Sequence, residues 1–110
     1  ASKIYGPTTI GPYSKVGGEI NNSVIFGYSN KAHDGFLGNS VIAEWCNLGS
    51  DTNNSNLKNS YDEVKLWSYS QMSFVNTRLT FCGLIMGDHS KTGLTIKSAV
   101  PNQTVIYIDL

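Results

Sequence analysis

Apolar residues at the start of the chain fall six apart: Ile4, Ile10 and Val16 keep that step, and Gly11 and Gly17 directly follow the last two. Ile42 and Leu48 keep it further on, and Met86-Gly87 and Thr92-Gly93 repeat it near the other end. A step of six matches neither the helical period nor the two-residue alternation of an isolated strand. It is the period of a parallel β-helix, in which each short strand sends one branched apolar side chain inward and the next residue, often Gly, makes a corner. Three steps close one triangular coil, and the coils stack so that like side chains form a continuous core. The pattern therefore predicts an all-β fold, a single-stranded parallel β-helix of hexapeptide repeats. Leu37-Gly38 and Leu48-Gly49 are one residue short of two steps apart, and that slip is expected to be a bulge or a small insertion.

The step is not kept everywhere. Residues 3–50 carry most of it, whereas residues 51–80, from Asp51-Thr52-Asn53-Asn54 through Trp67 and Phe74, lose it and become polar, Asn-rich and aromatic. This stretch is expected to be a loop extruded from one corner. Within it Glu63-Val64-Lys65-Leu66-Trp67-Ser68-Tyr69 alternates polar and apolar side chains, as a half-exposed strand does. A structureless loop of that length is unusual, so hairpin structure or packing on a partner is expected, together with a functional role. Residues 81–94 return to the coil with Phe81-Cys82-Gly83-Leu84-Ile85-Met86-Gly87. After Gly93 the step fails again. Residues 94–110 read as an atypical or truncated C-terminal segment whose run Val105-Ile106-Tyr107-Ile108-Asp109-Leu110 is a strand. With an opening Ala1-Ser2 that lacks an initiator Met, this reads as a domain cut from something longer, or as a truncated relative.

Composition narrows the picture. A chain of 110 residues suffices for one core and not for two full-sized ones, so residues 1–110 are expected to form a single domain. Eleven Gly, eleven Asn and only 15% charged residues favour many tight corners over long helices. Eight basic residues balance eight acidic ones with no basic run, which argues against sequence-independent nucleic-acid binding, since that depends on neutralising phosphates. No apolar run reaches membrane-spanning length and no charged-then-apolar leader opens the chain, so a soluble, cytoplasmic protein with no membrane partner is expected. Cys46 and Cys82 lack a CxxC partner and a His at metal-ligand spacing; they read as small buried hydrophobes, and no metal is expected.

Three phrases carry a resemblance to known proteins: Val16-Gly17-Gly18-Glu19, the run Ser29-Asn30-Lys31 to Leu37-Gly38, and Cys82-Gly83-Leu84-Ile85-Met86-Gly87-Asp88-His89-Ser90. Residues 19–56 resemble the acetyltransferase domain of the bifunctional UDP-N-acetylglucosamine diphosphorylase and glucosamine-1-phosphate N-acetyltransferase. The chain is more similar still to the C-terminal left-handed β-helix of bacterial sugar-phosphate nucleotidyltransferases. The resemblance covers about the first four-fifths of the chain and stops near Gly93. It implies a left-handed coil, a homotrimer, and transfer of an acetyl group from acetyl-CoA, as co-substrate, to the amine of an amino-sugar phosphate.

By the same resemblance His33 matches the family's general base, and an imidazole suits that role because it titrates near neutrality. Asn47 and Asn56 match two amides of the sugar and acetyl site, where an amide binds a hydroxyl or carbonyl without adding charge. Lys65 lies near a basic loop residue. Two positions depart from the family: Asn21 stands where a base contacts the sugar phosphate, and Phe36 replaces a Tyr. The coils beyond Gly93 that supply much of the family's CoA cleft are not recognisable, and no Gly-rich phosphate loop of the nucleotidyltransferase half is present.

Structural readings stand beside these. Asn47 and Asn56 also suit corners, since Asn tolerates left-handed geometry. His89 reads as a corner or surface residue. Asn21, Asn22 and Asn39 suit the stacked amide ladders of β-helices, and Trp45 and Trp67 suit packing between subunits. Two functions follow: a trimeric acyltransferase module using His33, or a non-catalytic trimerisation or regulatory β-helix of a sugar-phosphate nucleotidyltransferase.

Overall fold

A computed structural model describes residues 2–58, 60–94, 97–98 and 105–106, the last four by their backbone. The chain winds as a parallel β-solenoid of about three turns, with strands and no helix among the described residues. The strands are β1 (Lys3–Tyr5), β2 (Thr9–Ile10), β3 (Lys15–Val16), β4 (Glu19–Asn21), β5 (Val24–Ile25), β6 (Asn30–Lys31) and β7 (Phe36–Gly38). They continue as β8 (Val41–Ile42), β9 (Asn53–Asn54), β10 (Lys65–Ser68), β11 (Ser73–Asn76), β12 (Ile85–Met86), β13 (Lys97–Ser98) and β14 (Val105–Ile106). Face one stacks β1-β4-β7-β9-β13, face two stacks β2-β5-β8-β12-β14, and face three begins with β3-β6. Single bridges carry face three on from Asn30 to Asn47 and from Asn47 to Lys91.

Each face lines up one inward ladder. Ile4, Ile20, Leu37 and Asn54 are in register on face one, and Ile10, Ile25, Ile42 and Met86 on face two. Val16 pairs with Lys31 on face three, followed by Leu48 and Thr92 one residue past the bridged Asn47 and Lys91. Ile20, Ile25, Leu37, Ile42, Leu48 and Met86 are buried and form one cluster with Cys46 and Leu84. Removing such side chains from water at about 25 cal/mol per Å² is the main drive for stacking.

Rungs recur 16 residues apart from Ile4 to Ile20, 15 from Ile10 to Ile25 and 17 from Ile25 to Ile42. All are shorter than three six-residue steps, and the reason lies in the corners. Each corner is turned by a residue in the left-handed region: Gly6, Asn22 and Asn39 between faces one and two, and Gly18, Gly35 and Asp51 between faces three and one. Such a residue reverses the chain within one position. The slip between Leu37 and Leu48 is therefore a shortening, against the expected bulge or insertion. Asn39, at φ 49°, brings Leu37 to Ile42 in five residues, while Ile42 to Leu48 keeps six. Ser40 locks that corner by donating to the Gly38 carbonyl (2.8 Å) and accepting from the Leu84 N–H (2.9 Å). At Gly35, φ 123°, a Cβ would run into the Thr52 carbonyl, so only Gly fits.

The remaining corner, between faces two and three, uses bulky residues instead. Tyr13, Tyr28, Trp45 and His89 all have positive φ, from 57° to 61°. For a side chain with a Cβ that conformation costs about 1–2 kcal/mol. Their rings stack in one column, Tyr28 on Trp45 at 4.5 Å and 7°, with Tyr13 and His89 outside them. Each such pair returns about 0.5–1.5 kcal/mol. Beneath the rings a ladder of small side chains ties coil to coil: Ser14 accepts from the Ser29 N–H (3.1 Å), Ser29 from the Cys46 N–H (3.0 Å), and the Cys46 thiol donates to the Gly87 carbonyl (3.0 Å).

The coil runs through β9 before the chain leaves it, and Val41 to Ile85 spans 44 residues where the rungs up to β9 span 15 to 17. The excursion holds an antiparallel hairpin, β10 with β11, with Trp67 edge-on to Phe74 at 5.2 Å. Val64 and Cys82, with Leu66 packed on them, make a small separate core. Both cysteines are buried and free, and burial pushes their thiol pKa values up. Beyond Leu94, the backbone of β13 pairs with β9 and that of β14 with β12. The rest of the expected 94–110 segment, including the remainder of the run at 105–110, lies outside the described residues. No helix among the described residues is long and apolar enough to cross a membrane.

Candidate functional site

Face three differs from the others in what it turns outward. Lys15, Asn30, Asn47 and Lys91 are in register, one per coil, so amides and ammonium groups form a polar column. Small residues lie two positions on, at Gly17, Ala32, Gly49 and Gly93, which leaves the column uncovered. A cavity of about 370 Å³ opens there, lined by Lys15, Asn30 and Asn47 from the column, by His33, and by Ser50 and Leu94 from the next corner and coil.

His33 belongs to the corner that leads from face three to Gly35. Its side chain is exposed and has no hydrogen-bond partner among the described residues. Its backbone is firmly held. Lys31, which takes an inward ladder position, is 2% exposed, and its ammonium donates to the His33 carbonyl (2.8 Å) and to the Gly17 carbonyl one coil earlier (3.2 Å). Burial pushes the Lys31 pKa down, and the Asp34 carboxylate opposes that shift. A buried ammonium is tolerated only with such partners. Here they pin the His33 corner to the preceding coil.

The four residues singled out in the sequence do not all meet. His33 and Asn47 line the cavity. Asn56 lies at the far corner of face one, where its amide donates to Asn39 Oδ1 (2.9 Å) and packs with the Phe36 ring over Gly38. Lys65 is exposed on β10, opposite Asn76 in the hairpin. Neither lines the cavity. Asn21, at the departed phosphate position, approaches the Tyr5 carbonyl (3.4 Å) and accepts from Asn22 (3.0 Å), also outside it. Phe36 anchors through its backbone, donating to Asn53 Oδ1 (2.9 Å).

Sequence reading missed Lys15, Asn30 and Lys31. The signal for the first two was their place immediately before an inward position, Val16 and Lys31, the same phase as Asn47 before Leu48. For Lys31 it was the six-residue step itself, which lands on that residue when continued from Ile25.

No protein-family model matches the chain. Over 78 residues, 71% of the chain, it is 33% identical to the bifunctional protein GlmU of Methanocaldococcus jannaschii. That stretch is 18% of the relative, so the chain spans less than a fifth of its length.

Proposed function

Since this chain is a left-handed β-helix domain of the hexapeptide-repeat kind, similar over 71% of its length to the bifunctional protein GlmU, we propose that it is an acyltransferase module acting on an amino-sugar phosphate. The supporting observation is a cavity that holds an imidazole, His33, with no side-chain partner among the described residues, beside the Asn47 amide. With acetyl-CoA as acyl donor, the sugar amine attacks the thioester carbonyl carbon while His33 takes a proton from the nitrogen. The C–S bond then breaks, CoA leaves as the thiol after receiving that proton, and the new bond is the amide of an N-acetyl sugar. Asn47 donates a hydrogen bond to the carbonyl oxygen as it gains negative charge. Lys31 contributes indirectly, by fixing the His33 carbonyl and so the direction of the corner.

The test is release of CoA from acetyl-CoA in the presence of glucosamine 1-phosphate, comparing the native chain with His33→Ala. Turnover lost in the variant, by about a hundredfold or more, is the expected result for removal of a general base. A second reading, a non-catalytic trimerisation or regulatory β-helix of a sugar-phosphate nucleotidyltransferase, is favoured by the separation of Asn56 and Lys65 from the cavity. Equal absence of turnover in both proteins would favour that alternative.

Under either reading the chain assembles as a homotrimer. Supporting this is the outward side of face two and its flanks, where Val24, Val41, Phe26 and Trp45 are exposed together. Light scattering at micromolar concentration should give three times the chain mass of 12.0 kDa. A cytoplasmic setting agrees with two buried thiols left unpaired.

A further inference from the structure

Among the described residues, the cavity beside His33 carries a positive charge with nothing to answer it: no carboxylate lines it, and Lys15 supplies its only ammonium. The two other lysines of face three are already engaged: Lys31 is turned inward onto carbonyls, and Lys91 donates to the Trp45 carbonyl (2.7 Å). Lys15 is exposed, and its ammonium has no partner among the described residues. A free cation in a recess lined by amides is a place for an anion.

Its place beside the general base also fits, since Lys15 and His33 line the same recess. Lys15, Asn30 and Asn47 occupy successive rungs in register. Neighbouring strands lie about 4.8 Å apart, which sets Lys15 and Asn47 roughly 10 Å apart along the column. In a hexosamine 1-phosphate the phosphate and the amine sit on adjacent carbons, so an anion held at Lys15 keeps the amine inside the recess that His33 also lines, and the ring hydroxyls reach along the column. The position where resemblance places a phosphate-binding base holds Asn21, outside the cavity and engaged with Tyr5 and Asn22.

We propose that Lys15 binds the phosphate monoester of the amino-sugar substrate, with Asn30 and Asn47 along the sugar and the amine directed to His33, an inference that rests on the acyltransferase reading. Lys15 is thus a specificity-determining residue. It distinguishes a phosphorylated amino sugar from the free one, and does so from a different coil than the Asn21 position.

The experiment is an NMR titration of the isotope-labelled chain, with the His33 imidazole signals as the reporter of occupancy. Glucosamine 1-phosphate, glucosamine and CoA are each added to the native chain, to Lys15→Gln, to Lys15→Arg, and to Lys3→Gln as a control on another face. Glucosamine 1-phosphate should saturate the native site, and Lys15→Gln should weaken it about tenfold, as loss of one charge-assisted hydrogen bond predicts. Lys15→Arg and Lys3→Gln should bind like the native chain, free glucosamine should be indifferent to Lys15→Gln, and the Lys15 effect should shrink with added salt. Saturable binding of glucosamine 1-phosphate that Lys15→Gln leaves unchanged overturns the Lys15 assignment alone. Weakening seen for CoA and not for the sugar phosphate also overturns it, since the phosphate held there would belong to the acyl donor. No saturable binding of glucosamine 1-phosphate to the native chain overturns both this assignment and the acyltransferase reading.

Discussion

In the coil up to β9 a side chain's surroundings are set by residues 15 to 17 positions away, stacked above and below it; in the excursion they are set by the neighbour across one hairpin. The coil pools its apolar residues into one continuous cluster. The excursion has three residues in a separate one. Ladder geometry thus makes each coil depend on the next, whereas the hairpin has its own small core and its Trp67-Phe74 pair.

The largest expected effect is Leu37→Ala, which empties a rung of a fully buried ladder and should cost about 3 kcal/mol in urea unfolding. Leu66→Ala in the hairpin, only half-buried, should cost about 1 kcal/mol. Equal losses would break the comparison, because the two regions would then share one core. Next is the ring column. Trp45→Leu loses two stacking contacts and keeps a left-handed backbone, for about 2 kcal/mol, while Trp45→Asn loses the contacts and eases the backbone, for about 1 kcal/mol. Thermal melts in which Leu is better tolerated than Asn would remove the corner strain from the account. Smaller again is Trp67→Ala, about 0.5 kcal/mol through its cross-strand pair with Phe74.

The last effect is a slope rather than a loss. Burial holds the Lys31 pKa below its ordinary 10.5, so the charged form is penalised in the fold. That penalty is present in full below the lowered value and disappears as pH rises to 10.5, where the unfolded chain also gives up the proton. Native stability relative to Lys31→Met should therefore rise with pH across that interval. The Cys46, Cys82 and Tyr5 groups, whose raised values cost stability as pH rises, are common to both proteins and cancel in the difference. A flat difference would mean that the Lys31 ammonium is reached by water.

The fold was legible wherever the inward residue was apolar. Ile4, Ile10 and Val16 announce all three faces within one coil. The ladders became illegible where polar residues took inward places, as Lys31, Asn54 and Thr92 do, because a hydrophobic pattern cannot register an ammonium satisfied by carbonyls. Five-residue corners at Asn22 and Asn39 blurred the period further. For the candidate site, resemblance in linear sequence pointed to His33, Asn47, Asn56 and Lys65 alike. Only coil phase separates the first two, on face three, from Asn56 beyond β9 and Lys65 in the hairpin. Lys15 escaped notice because its meaning comes from the rungs above it, which no single hexapeptide contains.

The 44-residue rung bears on the order of winding. Closing a loop costs about 0.6 kcal/mol more for each doubling of its length, so lengthening from 17 to 44 residues adds only about 0.8 kcal/mol to the entropy of closure. At equilibrium the excursion is therefore nearly free to carry. Kinetically it is not, because the coils up to β9 close over short segments while Ile85 and Met86 must find Val41 and Ile42 across the whole hairpin. The rung at β12 is thus expected to dock late, on a stack that has already formed.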